Sequence, residues 1–414
     1  MAVLTRMFGV ERLQLAEDVV QEALIRAMQT WPYYGIPENP AAWITQTAKH
    51  LALDILRREQ NFRKKEPGIV AFQQQGPLGT PTENSVVFDT EIPDDRLRMI
   101  FACCHPAIPR EAQVALTLKT LCGLGIGEIA NAFLSNESAI AKRLTRARKA
   151  IRDADIPFEI PHGEALDGRL ESVEQSLYLL FNEGYKASSG DHLVREDLCR
   201  EAIRLVEFLT DHAVGDSPRT HALAALMLLN AARFPERTNE MGQLLRLQDQ
   251  DRHKWDRRLI ARGLFHLGKA ASGKELSAYH IQAGIAACHC TAPDYAATNW
   301  KQILARDDQW IARDPSPIIA LNRAVALTHV QGPDAGKSAV ESIDNPKALE
   351  KYYLRYAVLG DIEFQRKNYD VAADLFATAA DLTIIKTERA FLLERMHQCK
   401  SKGSDYVATN PMDT

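Results

Sequence analysis

The 414 residues carry 50 lysines and arginines against 54 aspartates and glutamates, a formal net charge of −4, with 46% hydrophobic and 25% charged residues. That is the balance of a soluble globular chain able to bury a sizeable core, and the length asks for two or three domains. The most apolar window, 222–232, falls far short of the ~18 residues a bilayer crossing needs, no charged-then-apolar leader opens the chain, and the seven scattered cysteines form no disulfide framework. No membrane partner is expected, and the expected compartment is the cytoplasm.

Leu15, Val19, Ala23, Ala27 and Trp31 recur at four-residue steps and predict a helix, with Asp18, Glu22 and Arg26 facing outward. Pro32, Gly35, Pro37 and Pro40 predict a loop after it, and Asn39 before Pro40 suits a helix cap with proline at the first helical position. The next helix places Trp43, Ile44, Thr47, Ala48, Leu51, Ile55 and Leu56 inside and ends in Arg57, Arg58, Arg63, Lys64 and Lys65. Residues 1–66 therefore read as one helical domain. Between Pro67 and Pro93 the periodicity disappears among Gly68, Gly76, Pro77, Gly79, Pro81 and a glutamine run at 73–75. Every charge in this 67–93 linker is negative (Glu83, Asp89 and Glu91), and a plain solvated spacer is the reading the residues favour.

Residues 94–158 are helical again. The run from Arg96 to Phe101 leads into Cys103-Cys104-His105-Pro106, and a second helix follows at about 111–121. Then Gly127-Glu128-Ile129-Ala130, a tight turn and a basic helix complete a helix-turn-helix. Lys142, Arg143, Arg146, Arg148, Lys149 and Arg152 follow one another with no acid before Asp153. Ile129, Ala130 and Phe133 on the first helix and Ile140, Leu144 and Ala147 on the second lock the pair together. Ser138, Ala139, Lys142, Arg143 and Arg146 are left outward, which is what a major-groove DNA reader needs. A solvated basic helix face is the alternative.

The stretch 159–414 reads as helix throughout, with short Gly, Pro, Asp and Asn breaks. Leu359-Gly360, Tyr369, Ala372, Phe376 and Ala379 match the spacing of one tetratricopeptide (TPR) repeat, with Ile384 where the consensus has proline. An eroded copy runs from Leu321-Asn322 through Val325 to Ala335 and Val340, with a one-residue shift. The expected fold class is all-α: two small helical domains joined by a linker, then an α-helical TPR-like solenoid.

The string Ala16-Glu17-Asp18-Val19-Val20-Gln21-Glu22-Ala23, followed by Trp43-Ile44, Ala48, Ala52-Leu53-Asp54 and Leu56-Arg57-Arg58, resembles conserved region 2 of bacterial σ70-family initiation factors. The helix-turn-helix, with Arg-Leu-x-Arg-Ala-Arg at 143–148, resembles their region 4. With only a linker between, the arrangement resembles an extracytoplasmic-function (ECF) σ factor. Cys103-Cys104-His105-Pro106, Asn182-Glu183-Gly184-Tyr185 and the helical tail resemble the subgroup with a C-terminal TPR-like extension.

The resemblance implies binding to RNA polymerase core, at the β′ clamp and the β flap, and to promoter DNA. It places Asp18, Gln21 and Glu22 against polymerase. It assigns the −10 element to the loop before the Trp43 helix and to that helix. Tyr33 and Tyr34 of that loop either cradle a flipped base, a stacking contribution of ~1–3 kcal/mol per base, or pack on the domain. Lys49, His50, Arg57 and Arg58 contact phosphates, and Trp43 is mostly core. At the −35 element Arg143 makes a bidentate contact to guanine, and Lys142 and Arg146 reach bases or phosphates. Arg148, Lys149 and Arg152 hold phosphate, and Ser138 and Ala139 tune which bases fit. The acidic linker, in family practice, threads a basic polymerase channel.

Departures from the family pattern are a curtailed first region-2 helix, Leu134 where the turn usually holds glycine, and Ala141 in place of a frequent lysine. A different turn geometry is expected, and promoter preference is not carried over from relatives. The tail is expected to regulate or stabilise, with a protein regulator as its candidate partner. Neither Cys103-Cys104-His105 nor Cys288-His289-Cys290 has the paired spacing of a structural zinc site, so buried thiols are expected and no metal or cofactor. No catalytic motif is present, and no enzyme is expected. The competing reading is a TPR scaffold or adaptor with a helix-turn-helix regulator that binds operators without polymerase.

Overall fold

In the computed structural model, residues 1–65, 91–133, 135–161, 164–185, 195–239 and 243–409 are described. Among them the regular structure is helical, apart from one isolated bridge between Thr238 and Leu244. No helix among the described residues is long and apolar enough to cross a membrane.

The four-residue apolar steps at the N-terminus become α1 (Ala2–Phe8), a 3-10 turn (Val10–Arg12) and α2 (Leu13–Tyr34), and α3 (Pro40–Lys65) packs against α2. Leu4, Ala16, Val19, Ala23, Ala48 and Ala52 form the buried core, where alanines on both α2 and α3 let the two backbones approach. Asn39 caps α3 as expected, its Oδ1 accepting from the Ala42 amide at 3.0 Å. One expectation fails: Pro32 does not open the loop but lies inside α2, which continues to Tyr34. A proline deletes a single amide donor, and this close to a helix end that loss is small enough for the following turn to form. The helix stops instead at Gly35, whose φ of +82° no side-chain-bearing residue adopts cheaply and whose amide donates to the Trp31 carbonyl at 2.9 Å. Tyr33 and Tyr34 consequently sit on the last helical turn rather than in a loop.

The expected linker lies mostly outside the described residues, which resume at 91, and Leu134 of the turn also lies outside them. α4 (Glu91–Cys103) takes up the final residues of the 67–93 segment, followed by α5 (Arg110–Thr120), α6 (Ile126–Ala132), α7 (Glu137–Asp153) and α8 (Glu164–Tyr185). Leu97, Ile100, Phe101, Leu116, Ile129 and Leu144 are fully or almost fully buried. Cys103 and Cys104 belong to the same interior, with Cys103 Sγ 3.4 Å from Thr120 Oγ1. Burial pushes the two thiols up to about 11 and about 12, so both keep their protons at neutral pH.

The chain divides into two compact units, Met1–Leu179 and Leu180–Thr414. The second is built from α9 (Glu196–Asp211), α10 (Pro218–Ala231), α11 (Arg257–Ala270), α12 (Ala278–Thr291), α13 (Trp300–Ile311), α14 (Pro317–Gln331), α15 (Pro333–Glu341), α16 (Tyr353–Gln365), α17 (Tyr369–Leu382) and α18 (Lys386–Thr409). Successive helices pack on one another: α10 on α11 and α12, α14 on α15, α16 on α17, and α17 on α18. At the α16–α17 contact the spacing read from the sequence has a steric cause, since a Cβ on Gly360 would stand 3.0 Å from the buried Phe376 ring. Ahead of α11, buried Arg252 ties its own turn to the end of α12 by hydrogen bonds. Its Nη1 donates to the carbonyls of His289 (2.7 Å) and Ala292 (3.2 Å), and its Nη2 to Thr298 Oγ1 (2.8 Å). It thereby satisfies carbonyls at the end of α12. The Asn182-Glu183-Gly184-Tyr185 string ends α8, where Gly184 O accepts from the Arg195 amide at 2.7 Å and the Arg237 guanidinium covers the Tyr185 ring at 4.0 Å.

Candidate nucleic-acid and polymerase interface

α7 carries the residues expected at the −35 element. Asn136 caps it, its Oδ1 accepting from the Ala139 amide at 2.8 Å. Ile140, Leu144, Ala147 and Ile151 recur every three or four residues and are buried. Because that stripe is fixed against α5 and α6, the polar positions are held outward on a rigid rod. Ser138, Lys142, Arg146, Lys149 and Arg152 are exposed, while Ala139, Arg143 and Arg148 are half-buried. Lys142, Arg146 and Lys149 carry no ion pair among the described residues. Solvated lysines and arginines on one helix face form a patch of positive potential suited to phosphate.

Two of the expected DNA-reading arginines are engaged within the chain. Arg143 Nη2 lies 3.0 Å from Glu111 Oε2, and its guanidinium sits 5.6 Å from the half-buried Phe133 ring. Glu111 is 71% exposed, so this pair is weak and readily exchanged. Arg148 is held more firmly: Nη2 is 2.5 Å from Glu17 Oε2, and Lys119 Nζ approaches the other oxygen of that carboxylate at 3.4 Å. Glu17 belongs to α2, so the expected polymerase-binding helix and the expected −35 helix meet at a carboxylate that is only 13% exposed. Arg6 adds a second link between the N-terminal helices and α4, with Nε 3.2 Å from the buried Asp95 carboxylate.

On α2, Asp18, Gln21 and Glu22 are exposed; Gln14 Nε2 donates to Asp18 at 2.7 Å, and Arg26 pairs with Glu22 at 3.1 Å. Beside them stand Leu24, Ile25 and Met28, 44%, 49% and 77% exposed. Sequence reasoning missed these three and Glu17. The signal was available: apolar residues off the four-residue stripe of an otherwise amphipathic helix have no core to enter.

The expected −10 residues lie nearby in the chain. Tyr33 and Tyr34 are 85% and 89% exposed, so they do not pack on the domain. Trp43 is half-buried and meets Trp31 edge-on at 5.6 Å. Lys49 is half-buried, whereas His50, Arg57 and Arg58 are exposed, Arg57 lying 3.8 Å from Asp54.

Among the described residues, no group of three or more His, Cys, Asp and Glu side chains is placed to hold a metal ion.

The family model for Sigma-70 region 2 matches residues 1–62, and that for Sigma-70, region 4 matches residues 98–151. The chain belongs to the σ70 family. This σ factor is of the ECF type and carries a C-terminal extension, of which residues 169–271 match a family of unknown function, DUF6596. An uncharacterized protein of Rhizobium meliloti is 35% identical across 99% of the chain and 94% of that protein. A probable RNA polymerase sigma factor of Xanthomonas campestris, RfaY, is 25% identical over 33% of each chain. The ECF RNA polymerase sigma factor SigX of Bacillus subtilis is 23% identical over 33% of this chain and 68% of its own. No solved structure matches the chain.

Proposed function

We infer that this σ factor directs RNA polymerase core to its promoters, with region 2 in residues 1–66, a tether at 67–93, region 4 in 94–158 and a helical interaction domain in 159–414. The observation that carries the −35 assignment is α7 itself: a capped helix, its apolar stripe buried and its cations outward. Arg143, Lys142 and Arg146 read or clasp the −35 box, Ser138 and Ala139 tune the fit, and Arg148, Lys149 and Arg152 hold phosphates. At the −10 element Tyr33 and Tyr34 cradle an unpaired base, with Lys49, His50, Arg57 and Arg58 on the backbone. Asp18, Gln21 and Glu22, with the apolar surface of Leu24, Ile25 and Met28, dock on the β′ clamp; region 4 reaches the β flap. The second unit, a TPR-like array, regulates or stabilises the factor through a protein contact.

Because Glu17 competes with DNA for Arg148, engagement of the −35 box requires that ion pair to open. Transcription with purified core and the gene's own upstream region tests the reading. Promoter-dependent transcripts only when the full chain is added support it. Operator binding without any transcript would instead identify an adaptor that works without polymerase.

A further inference from the structure

Inside the second unit a cavity of about 380 Å³ opens between α10, α12, α13 and α14. Its walls are apolar and aromatic: Leu226, Ile303 and Val325 face it together with Trp300 and Trp310. Trp300 is fixed in place, stacked at 3.9 Å on His329, which in turn meets the Tyr295 hydroxyl at 3.0 Å. The floor is polar. Asp307 lines it, is 2% exposed, and its carboxylate has neither hydrogen bond nor ion pair among the described residues. Its neighbour Asp308 pairs with Arg323 at 2.6 Å, and the Arg323 charge offsets the effect of burial on Asp307 only in part. Burial, then the charge of Asp308, pushes the Asp307 carboxyl up to about 7. His289 also lines the cavity, with a buried Nδ1 that meets no hydrogen-bond partner. Burial first, then Arg233 and Arg252, lower this imidazole to about 3, so it is neutral at physiological pH.

Arg233 completes the lining. Its Nε donates to Gln250 Oε1 at 3.4 Å and its plane lies over Trp255 at 5.5 Å, a bracing that fixes its direction, yet it has no carboxylate partner among the described residues. One pocket therefore holds a buried carboxyl and a half-buried guanidinium, neither with an ion-pair partner among the described residues. A fold that only needed packing would put hydrocarbon at position 307, since burying an acid without a partner is costly.

We propose that this cavity binds an amine–carboxylate zwitterion with an apolar body, its ammonium on Asp307, its carboxylate on Arg233 and its hydrocarbon against Trp300 and Trp310. A free amino acid and a short peptide share that chemistry. The tryptophan faces add attraction for the ammonium, and His289 Nδ1 accepts a further N–H. Nothing in this proposal depends on the promoter reading, and its test uses no polymerase.

The test is binding to the full chain, by thermal shift and calorimetry, with L-phenylalanine, the dipeptide phenylalanyl-leucine and phenethylamine. Saturable binding of either zwitterion is expected, and which one binds tells an amino-acid site from a peptide site. Phenethylamine, which lacks the carboxylate, should bind more weakly. D307N and R233M should each weaken the preferred probe by about tenfold or more. D307N is isosteric and removes an unpaired buried acid, so a folded protein is expected, verified by its circular dichroism. Absence of saturable binding by both zwitterions at millimolar concentration, or equal affinity in D307N and the parent, overturns the proposal. If phenethylamine matches the zwitterions and R233M has no effect, the carboxylate half is overturned.

Discussion

Glu17 shows how much a single carboxylate decides. In the sequence it is one acid among several on a solvated helix. In the fold it is 13% exposed and answers both Arg148 and Lys119. Replacing it by glutamine is expected to release Arg148 and raise affinity for a −35 duplex at low salt by about fivefold, the worth of roughly 1 kcal/mol. Fluorescence anisotropy reads this directly, and an unchanged affinity would remove Glu17 from the control of DNA binding. Arg143→Ala is expected to weaken −35-dependent initiation by ~1–3 kcal/mol while core affinity stays as it was. Competition against labelled factor measures the second quantity, and a matching loss there would contradict the assignment. Asp307 gives a pH signature. Its folded carboxyl titrates near 7 against 3.8 in the unfolded chain, so between those values the folded state binds more protons. The stability it contributes is therefore present below about pH 4 and lost as pH rises through about 7. Asp307→Asn should melt higher than the parent in mildly alkaline buffer, with the difference closing in acid; denaturation across that range checks it.

At the scale of an element, α7 is the clearest case of local sequence and tertiary role agreeing. Its buried Ile140, Leu144 and Ala147 and its outward Lys142 and Arg146 were read from spacing along one helix. Leu144→Ala should destabilise the first unit by about 2–5 kcal/mol through the cavity it leaves, with the loss visible in urea unfolding. A change under half a kcal/mol would mean that the α6–α7 contact is not the core of this unit. The end of α2 went the other way. Pro32 reads as a breaker, yet the helix ran past it until Gly35, because a proline near a helix end forfeits one hydrogen bond and the conformation of the glycine decides the stop. Tyr33 and Tyr34 thereby gained a helical platform and, at 85% and 89% exposure, face solvent.

For the molecule as a whole, a formal charge of −4 coexists with a basic rod whose exposed lysines and arginines face outward. DNA binding should weaken steeply with salt, and Lys149→Ala and Arg152→Ala should each flatten the slope of log affinity against log salt by about 1. An unaltered slope in both would place phosphate contact elsewhere. The two helical families of the first unit, the helix-turn-helix and the order of segments were legible in the chain, since they rest on periodicity, caps and breakers within a dozen or so residues. What the chain alone could not disclose was every relation between residues far apart in it. The grip of Glu17 on Arg148 spans 131 positions, and the meeting of Asp307 and Arg233 in the lining of one pocket joins segments far apart in the chain. Local pattern sets which helices form; burial and charge pairing between distant segments set what each of them can touch.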